Sequence, residues 1–174
     1  MRTLIKEVKM PTIDLLVKDF LSQKSIAVSG VTRNREDAAN LAYRKLKAAG
    51  YRVYAINPNT ATFDGDTCYP DLGALPEKVD AVFIVNRPAI TEQIVRQCIE
   101  LGVTRVWTHC SLGTNPRFAQ SISSSSAEVA RLCRENNITL IPGACINMFL
   151  KADGGHAAMR GILRVFGGLN VAKN

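Results

Sequence analysis

The chain has 174 residues, of which 47% are hydrophobic and 21% charged, a composition typical of one soluble globular domain. No apolar run approaches the roughly 20 residues that a membrane span needs, and residues 1–11 contain no signal-peptide hydrophobic stretch. Five dispersed cysteines without a CxxC pair favour a reduced compartment over a zinc or disulfide scaffold. The sequence therefore predicts a single cytoplasmic domain over residues 1–174.

The formal net charge of +7 suits a polyanionic partner, such as nucleic acid, a membrane surface or a phosphorylated small molecule. The basic residues group locally only at 33–35 and 44–47. No zinc finger or aromatic RNA-binding motif accompanies these groups, and no membrane segment is present. The charge pattern therefore disfavours nucleic acid, and the absence of an apolar span disfavours a membrane-embedded protein.

Apolar spacing and turn residues predict helices and strands that alternate along the chain. A leading helix at about 12–22 precedes a strand at 25–29, a helix at 39–49, a strand at 52–56, and a loop region with a short strand at 67–69. Then follow a strand at 81–85, a helix at 90–101, a strand at 105–107, a helix at 127–135, a strand at 138–141 and a final helix at about 155–166. This pattern predicts a three-layer, Rossmann-like α/β fold, with a mostly parallel sheet of about five strands and helices on both faces.

The loop after the first predicted strand, Gly30-Val31-Thr32-Arg33, has features of an anion site. In such sheets, ligands bind at the carboxyl ends of the strands, near the point where the strand order reverses. Gly30 allows a ligand to approach the backbone, the Thr32 hydroxyl is a candidate donor to a phosphate, and Arg33 or Arg35 adds positive charge. The alternative is that Gly30 serves only a tight turn between strand and helix.

The dinucleotide fingerprint GxGxxG is not satisfied, because Thr32 and Arg35 stand where it requires glycine. Asn57 stands at the end of the second strand, where an NAD-binding domain usually has an acidic residue for the ribose hydroxyls. Both departures disfavour ordinary NAD binding.

Four segments of the chain together resemble the CoA-binding domain family, which is related to the N-terminal domain of the succinyl-CoA synthetase α-subunit. The segments are IAVSGVTRNREDAANLAYRKLKAAGYRVYAINP (26–58), CYPDLGALPEKVDAVFIV (68–85), VWTHCSLG (106–113) and SAEVARLCRENNITLIPGACINMF (126–149). The resemblance covers about residues 24–168, and the family is also similar in fold to the Rex-type redox sensors, which bind NAD.

The resemblance implies coenzyme A as the cofactor and assigns residues to it. The Gly30 loop would hold the diphosphate, the residues after the second strand would lie along the nucleotide, and those after the central strand would border the ligand. The implied cofactor-binding residues are Gly30, Val31, Thr32, Arg33, Asn57, Pro58, Asn86, Arg87 and Pro88.

Two cysteines, Cys110 and Cys145, follow predicted strands on the ligand side. A thiolate there is a candidate nucleophile, and His109 is a candidate base. Glycine and polar residues around both cysteines predict that they are accessible from the ligand crevice. The alternative is that both are small buried hydrophobes and that His109 bonds a loop carbonyl. Two isolated histidines do not predict a metal site.

Three functions follow from these observations. The leading one is a small cytoplasmic CoA-binding protein, a binding or regulatory module without its own catalysis. The second is an enzyme that acts on an acyl-CoA or a nucleotide thioester through Cys145 or Cys110. The third is an NAD or adenine-nucleotide sensor, which Asn57 disfavours. The expected partner is CoA or acyl-CoA, and a homo-oligomer or a protein partner stays open.

Overall fold

The computed structural model describes residues 12–33, 37–114, 122–150 and 152–170. The helices over these residues are α1 (Ile13–Leu21), α2 (Ala38–Ala48), α3 (Pro88–Leu101), α4 (Ala127–Glu135) and α5 (Gly154–Val165), with a 3-10 helix at Ile146–Met148. The strands are β1 (Ser25–Ser29), β2 (Arg52–Ile56), β3 (Thr62–Phe63), β4 (Asp66–Tyr69), β5 (Ala81–Ile84), β6 (Arg105–Thr108) and β7 (Thr139–Pro142). None of the helices in this part of the chain combines the length and apolar character that a membrane span requires.

The strands form one sheet in the order β3-β4-β2-β1-β5-β6-β7. From β4 to β7 every neighbouring pair is parallel, and only β3 pairs antiparallel, with β4, among the described strands. The predicted mostly parallel α/β fold is confirmed. The sheet has seven strands where about five were predicted, mainly because the two-residue strand β3 is too short to show an apolar pattern.

Helices cover both faces of the sheet. Side chains alternate between the two faces along each strand, and apolar side chains on both faces pack against helices. Ile26 and Val28 of β1 belong to an apolar cluster with α1 and α2, whereas Ala27 between them belongs to a cluster with α3 and α4. Trp107 of β6 is fully buried in the first cluster, and its indole N–H donates to the Gly143 carbonyl at 2.8 Å. The expected three layers are therefore present, and Trp107 is a core residue.

The strand order reverses between β1 and β5. After β1 the chain continues to β2 and β4 on one side of it, then crosses back to β5 on the other side and continues to β6 and β7. The registers pair Ser29 with both Ile56 and Ile84, so the ends of β1, β2 and β5 lie level with one another. The loops after β1 and β5 leave in opposite directions from this point and frame a crevice.

Candidate ligand-binding site

A crevice of about 460 Å³ opens where the strand order reverses. Its walls are the segments that follow β1, β2, β4 and β5, together with one side of α3. Most of the residues that the family resemblance assigns to the ligand line this crevice: Gly30, Val31, Thr32, Asn57, Pro58, Asn86 and Arg87. The other two flank it, since Arg33 follows Thr32 and Pro88 is the first residue of α3.

Gly30 adopts a φ of +101°, and its N–H donates to the Ile56 carbonyl at 3.2 Å. A Cβ added at Gly30 would lie 2.4 Å from the carbonyl oxygen of Val85, at the end of β5. Packing within the protein therefore requires a glycine here, and the approach of a ligand to this backbone stays a prediction. The tight turn and the approach of β5 explain this glycine.

Thr32 is held by two residues of the following segment. Its N–H donates to Oδ1 of Asn40 at 2.9 Å, and Nδ2 of Asn40 donates back to the Thr32 carbonyl at 2.8 Å. The Thr32 hydroxyl donates to the carboxylate of Asp37, the residue that precedes α2. In this arrangement the hydroxyl proton is directed to Asp37, and donation of this hydroxyl to a phosphate stays a prediction.

Asn40 is fully buried and was not predicted as a site residue. It lies on α2 among the buried residues Ala39, Ala42 and Tyr43. A buried amide must find hydrogen-bond partners, and here the partner is the loop backbone. An asparagine inside the apolar stripe of a helix is the signal in the sequence that could have predicted this contact.

Asn57 and Asn86 fix two walls of the crevice. The Asn57 amide donates to the Val31 carbonyl at 2.6 Å, and its Oδ1 accepts from the Asn59 N–H at 2.8 Å. The Oδ1 of Asn86 accepts from the Ser29 hydroxyl at 2.8 Å. Asn57 therefore ties the end of β2 to the Gly30 loop.

Positive charge and a helix N-terminus meet at the crevice. Arg87 is exposed, lines the crevice and directly precedes α3, whose first residue is Pro88. Arg33 is also exposed, and neither arginine forms an ion pair within the described residues. The third candidate cation, Arg35, lies outside the described residues. Because the helix dipole adds to these charges, the site favours an anion.

The two candidate nucleophiles lie away from the crevice surface. Cys110 is 1% exposed and Cys145 is 5% exposed, and neither lines the crevice. Burial raises the pKa of both thiols, which disfavours the reactive thiolate. The expectation that these cysteines are accessible is therefore wrong.

His109, the candidate base, is also buried, and burial lowers its pKa to about 4. Its Nε2 lies 3.3 Å from the Ser111 hydroxyl, and its Nδ1 has no hydrogen-bond partner in the part of the chain that is described. The histidine is thus held as a neutral ring against Phe83, with ring centroids 6.1 Å apart. No hydrogen bond between His109 and either cysteine occurs among the described contacts.

Comparison with known proteins places the chain in a known family. The chain matches the family model described as CoA binding domain over residues 24–151. The ADP-forming acetate–CoA ligase II of Archaeoglobus fulgidus is 28% identical over 90 residues, which are 50% of this chain and 13% of the ligase. The ADP-forming acetate–CoA ligase I of the same organism is 31% identical over 75 residues, which are 43% of this chain and 11% of that ligase.

The matched segments are thus a small fraction of the length of these ligases. Among solved structures, a hypothetical protein from Pyrococcus horikoshii OT3 has a similar fold, with a TM-score of 0.67 and 22% sequence identity. The alignment covers 95% of this chain and 100% of that one. This likeness extends the comparison of fold to most of the chain.

Proposed function

Since the chain belongs to the CoA-binding domain family, we propose that it binds coenzyme A or an acyl-CoA in the crevice between the ends of β1 and β5. The observation that carries the proposal is the meeting of this crevice with the start of α3 at Arg87. CoA has several phosphate charges, which suit both the local charge and the net charge of +7.

In this proposal the diphosphate lies against the Gly30 loop and the first turn of α3. Arg87 supplies charge-assisted hydrogen bonds, and Arg33 adds positive charge from the neighbouring loop. Asn57 and Asn86 hold the walls through their own hydrogen bonds. The protein then acts as a cytoplasmic binding or regulatory module that carries out no chemistry itself.

The two other functions have less support. A thioester enzyme would need a reactive Cys145 or Cys110, but both thiols are buried, have raised pKa values and lie outside the crevice lining. An NAD sensor would usually have a carboxylate at the end of β2, where Asn57 uses its amide to hold the loop.

Isothermal titration of CoA into the wild type and the variant Arg87→Ala tests the proposal. Loss of one exposed cation at the phosphates should weaken CoA binding roughly five- to tenfold. Arg134→Ala is the matched control, because Arg134 is an exposed arginine in the last turn of α4 and does not line the crevice. Absence of CoA binding to the wild type would contradict the proposal. Equal losses of CoA affinity in both variants would show that the phosphates do not bind at the start of α3.

A further inference from the structure

We propose that Asp71 selects adenine as the base of the bound nucleotide, by accepting a hydrogen bond from its 6-amino group. This inference rests on the proposed binding of CoA. It concerns the adenine base, to which the proposed phosphate contacts assign no residue. Asp71 follows β4, is partly buried and lines the same crevice as Ile90 and Gln93 of α3.

The carboxylate of Asp71 has a fixed position. Its Oδ1 accepts a hydrogen bond from the Ala74 N–H at 2.9 Å, so this oxygen is directed toward the backbone three residues later. The next residue, Leu72, donates its N–H to Oε1 of Gln97 at 3.2 Å, so this segment is tied to α3. No hydrogen bond to Oδ2 of Asp71 occurs within the described residues.

A carboxylate in an anion-binding crevice restricts which part of the ligand lies beside it. An ionised carboxylate only accepts hydrogen bonds and repels phosphate oxygens. A ligand group that carries no negative charge and donates a hydrogen bond is therefore favoured beside Asp71. The 6-amino group of adenine meets both conditions, whereas guanine and hypoxanthine present an oxygen acceptor at the same ring position.

The surroundings of Asp71 suit a flat base. Pro58, Pro70 and Ile90 line the same crevice and supply apolar surface for a ring face. The ribose of CoA is a weaker candidate, because its 3′ oxygen carries a phosphate that a carboxylate repels. In addition, the carboxylate that binds a ribose diol in NAD domains follows the strand beside β1. That position holds Asn57, and Asp71 stands one strand further out, after β4.

The test compares CoA with a CoA analogue in which unsubstituted purine replaces adenine, by calorimetric titration of the full chain. Purine keeps the ring and lacks the amino donor. Asp71→Asn keeps an oxygen for the Ala74 N–H and turns an N–H donor toward the base, so it removes the acceptor with little effect on the turn. Glu100→Gln removes one charge from an exposed position on α3 that does not line the crevice, and is the matched control.

The wild type and Glu100→Gln should prefer CoA over the purine analogue by about tenfold or more, the usual range for a hydrogen bond to a charged group. Asp71→Asn should reduce this preference to about twofold or less. Equal binding of both ligands by the wild type would overturn the inference and leave CoA binding intact. A folded Asp71→Asn protein with the same preference for CoA as the wild type would also overturn the inference. Failure of the wild type to bind CoA would overturn the proposed function and this inference together.

Discussion

The buried side chain of Asn40 forms two hydrogen bonds with the backbone of Thr32, eight residues earlier, and these fix the loop that borders the crevice. Asn40→Ala removes both of these bonds to the Thr32 backbone. We expect the free energy of unfolding to fall by about 2 kcal/mol, and CoA binding to weaken because the loop loses its brace. Urea unfolding and calorimetric titration measure the two effects.

Asn40→Asp is the companion variant. It keeps the acceptor for the Thr32 N–H but replaces the donor with a carboxylate oxygen that faces the Thr32 carbonyl. Because this also buries a charge, we expect a loss at least as large as in Asn40→Ala. A change of less than about 0.5 kcal/mol in both variants would contradict the bracing role.

Substitution of Gly30 should act on folding before it acts on binding. Gly30→Ala introduces a Cβ toward the Val85 carbonyl at a φ of +101°. Strain and overlap together should cost about 3 kcal/mol or more. Gly161→Ala is the matched control, because Gly161 lies within α5 with no atom within 4 Å of an added Cβ.

For the control, alanine in place of a helical glycine should raise the free energy of unfolding by about 0.5–1 kcal/mol. Denaturant midpoints of the two variants give the comparison. A Gly30→Ala protein as stable as the wild type would show that the turn tolerates a side chain and that packing does not require this glycine.

His109 should make stability depend on pH. Burial lowers its pKa from 6.5 to about 4, so the unfolded chain binds more protons between these values. The free energy of unfolding should therefore fall as the pH is lowered from 6.5 to 4, by up to roughly 3 kcal/mol from this residue, and level off below. His109→Gln should flatten this part of the profile.

The control for His109 is His156→Gln, the other histidine of the chain, which lies in the first turn of α5 and bonds Asp153. Unfolding measured at several pH values in the wild type and the two variants shows whether the pH dependence is lost specifically in His109→Gln. An identical slope in the wild type and His109→Gln would show that the ring titrates in the native state as it does in water.

The cysteines should be protected in the native protein. All five are buried, and burial raises the pKa of Cys98 and Cys133 to about 12. Brief alkylation followed by peptide mapping should label each native thiol at least about tenfold more slowly than the urea-unfolded chain, with Cys98 and Cys133 slowest. Labelling of Cys110 or Cys145 at the unfolded rate would instead support the accessible thiol that an enzyme needs.

Much of the fold follows from local sequence. The strands predicted at 25–29 and 52–56 and the helix at 127–135 have the predicted bounds, since each is bounded by polar or turn residues. The missed strand β3 had its own signal in Asp64-Gly65, whose φ values of 50° and 84° form a tight turn between β3 and β4. An Asp-Gly pair between short strands is typical of a hairpin.

The position of the crevice was predictable, but its contacts were not. A parallel sheet places ligand loops at its strand ends, so the segments around Gly30, Asn57 and Asn86 could be named from the order of elements. The approach of Val85 to Gly30 and the bond from Asn40 to Thr32 depend on tertiary packing between separate elements. The burial of Cys110 and Cys145 likewise depends on how β6 and β7 pack, which local composition does not show.

Thermal unfolding of the full chain with CoA and, separately, with NAD tests CoA binding most directly. A ligand at a hundred times its dissociation constant stabilises the native state by about 2.7 kcal/mol. CoA should therefore raise the melting temperature clearly and in a concentration-dependent way, and NAD should raise it less because no acidic residue follows β2 at Asn57. Stabilisation by NAD with no effect of saturating CoA would contradict the account.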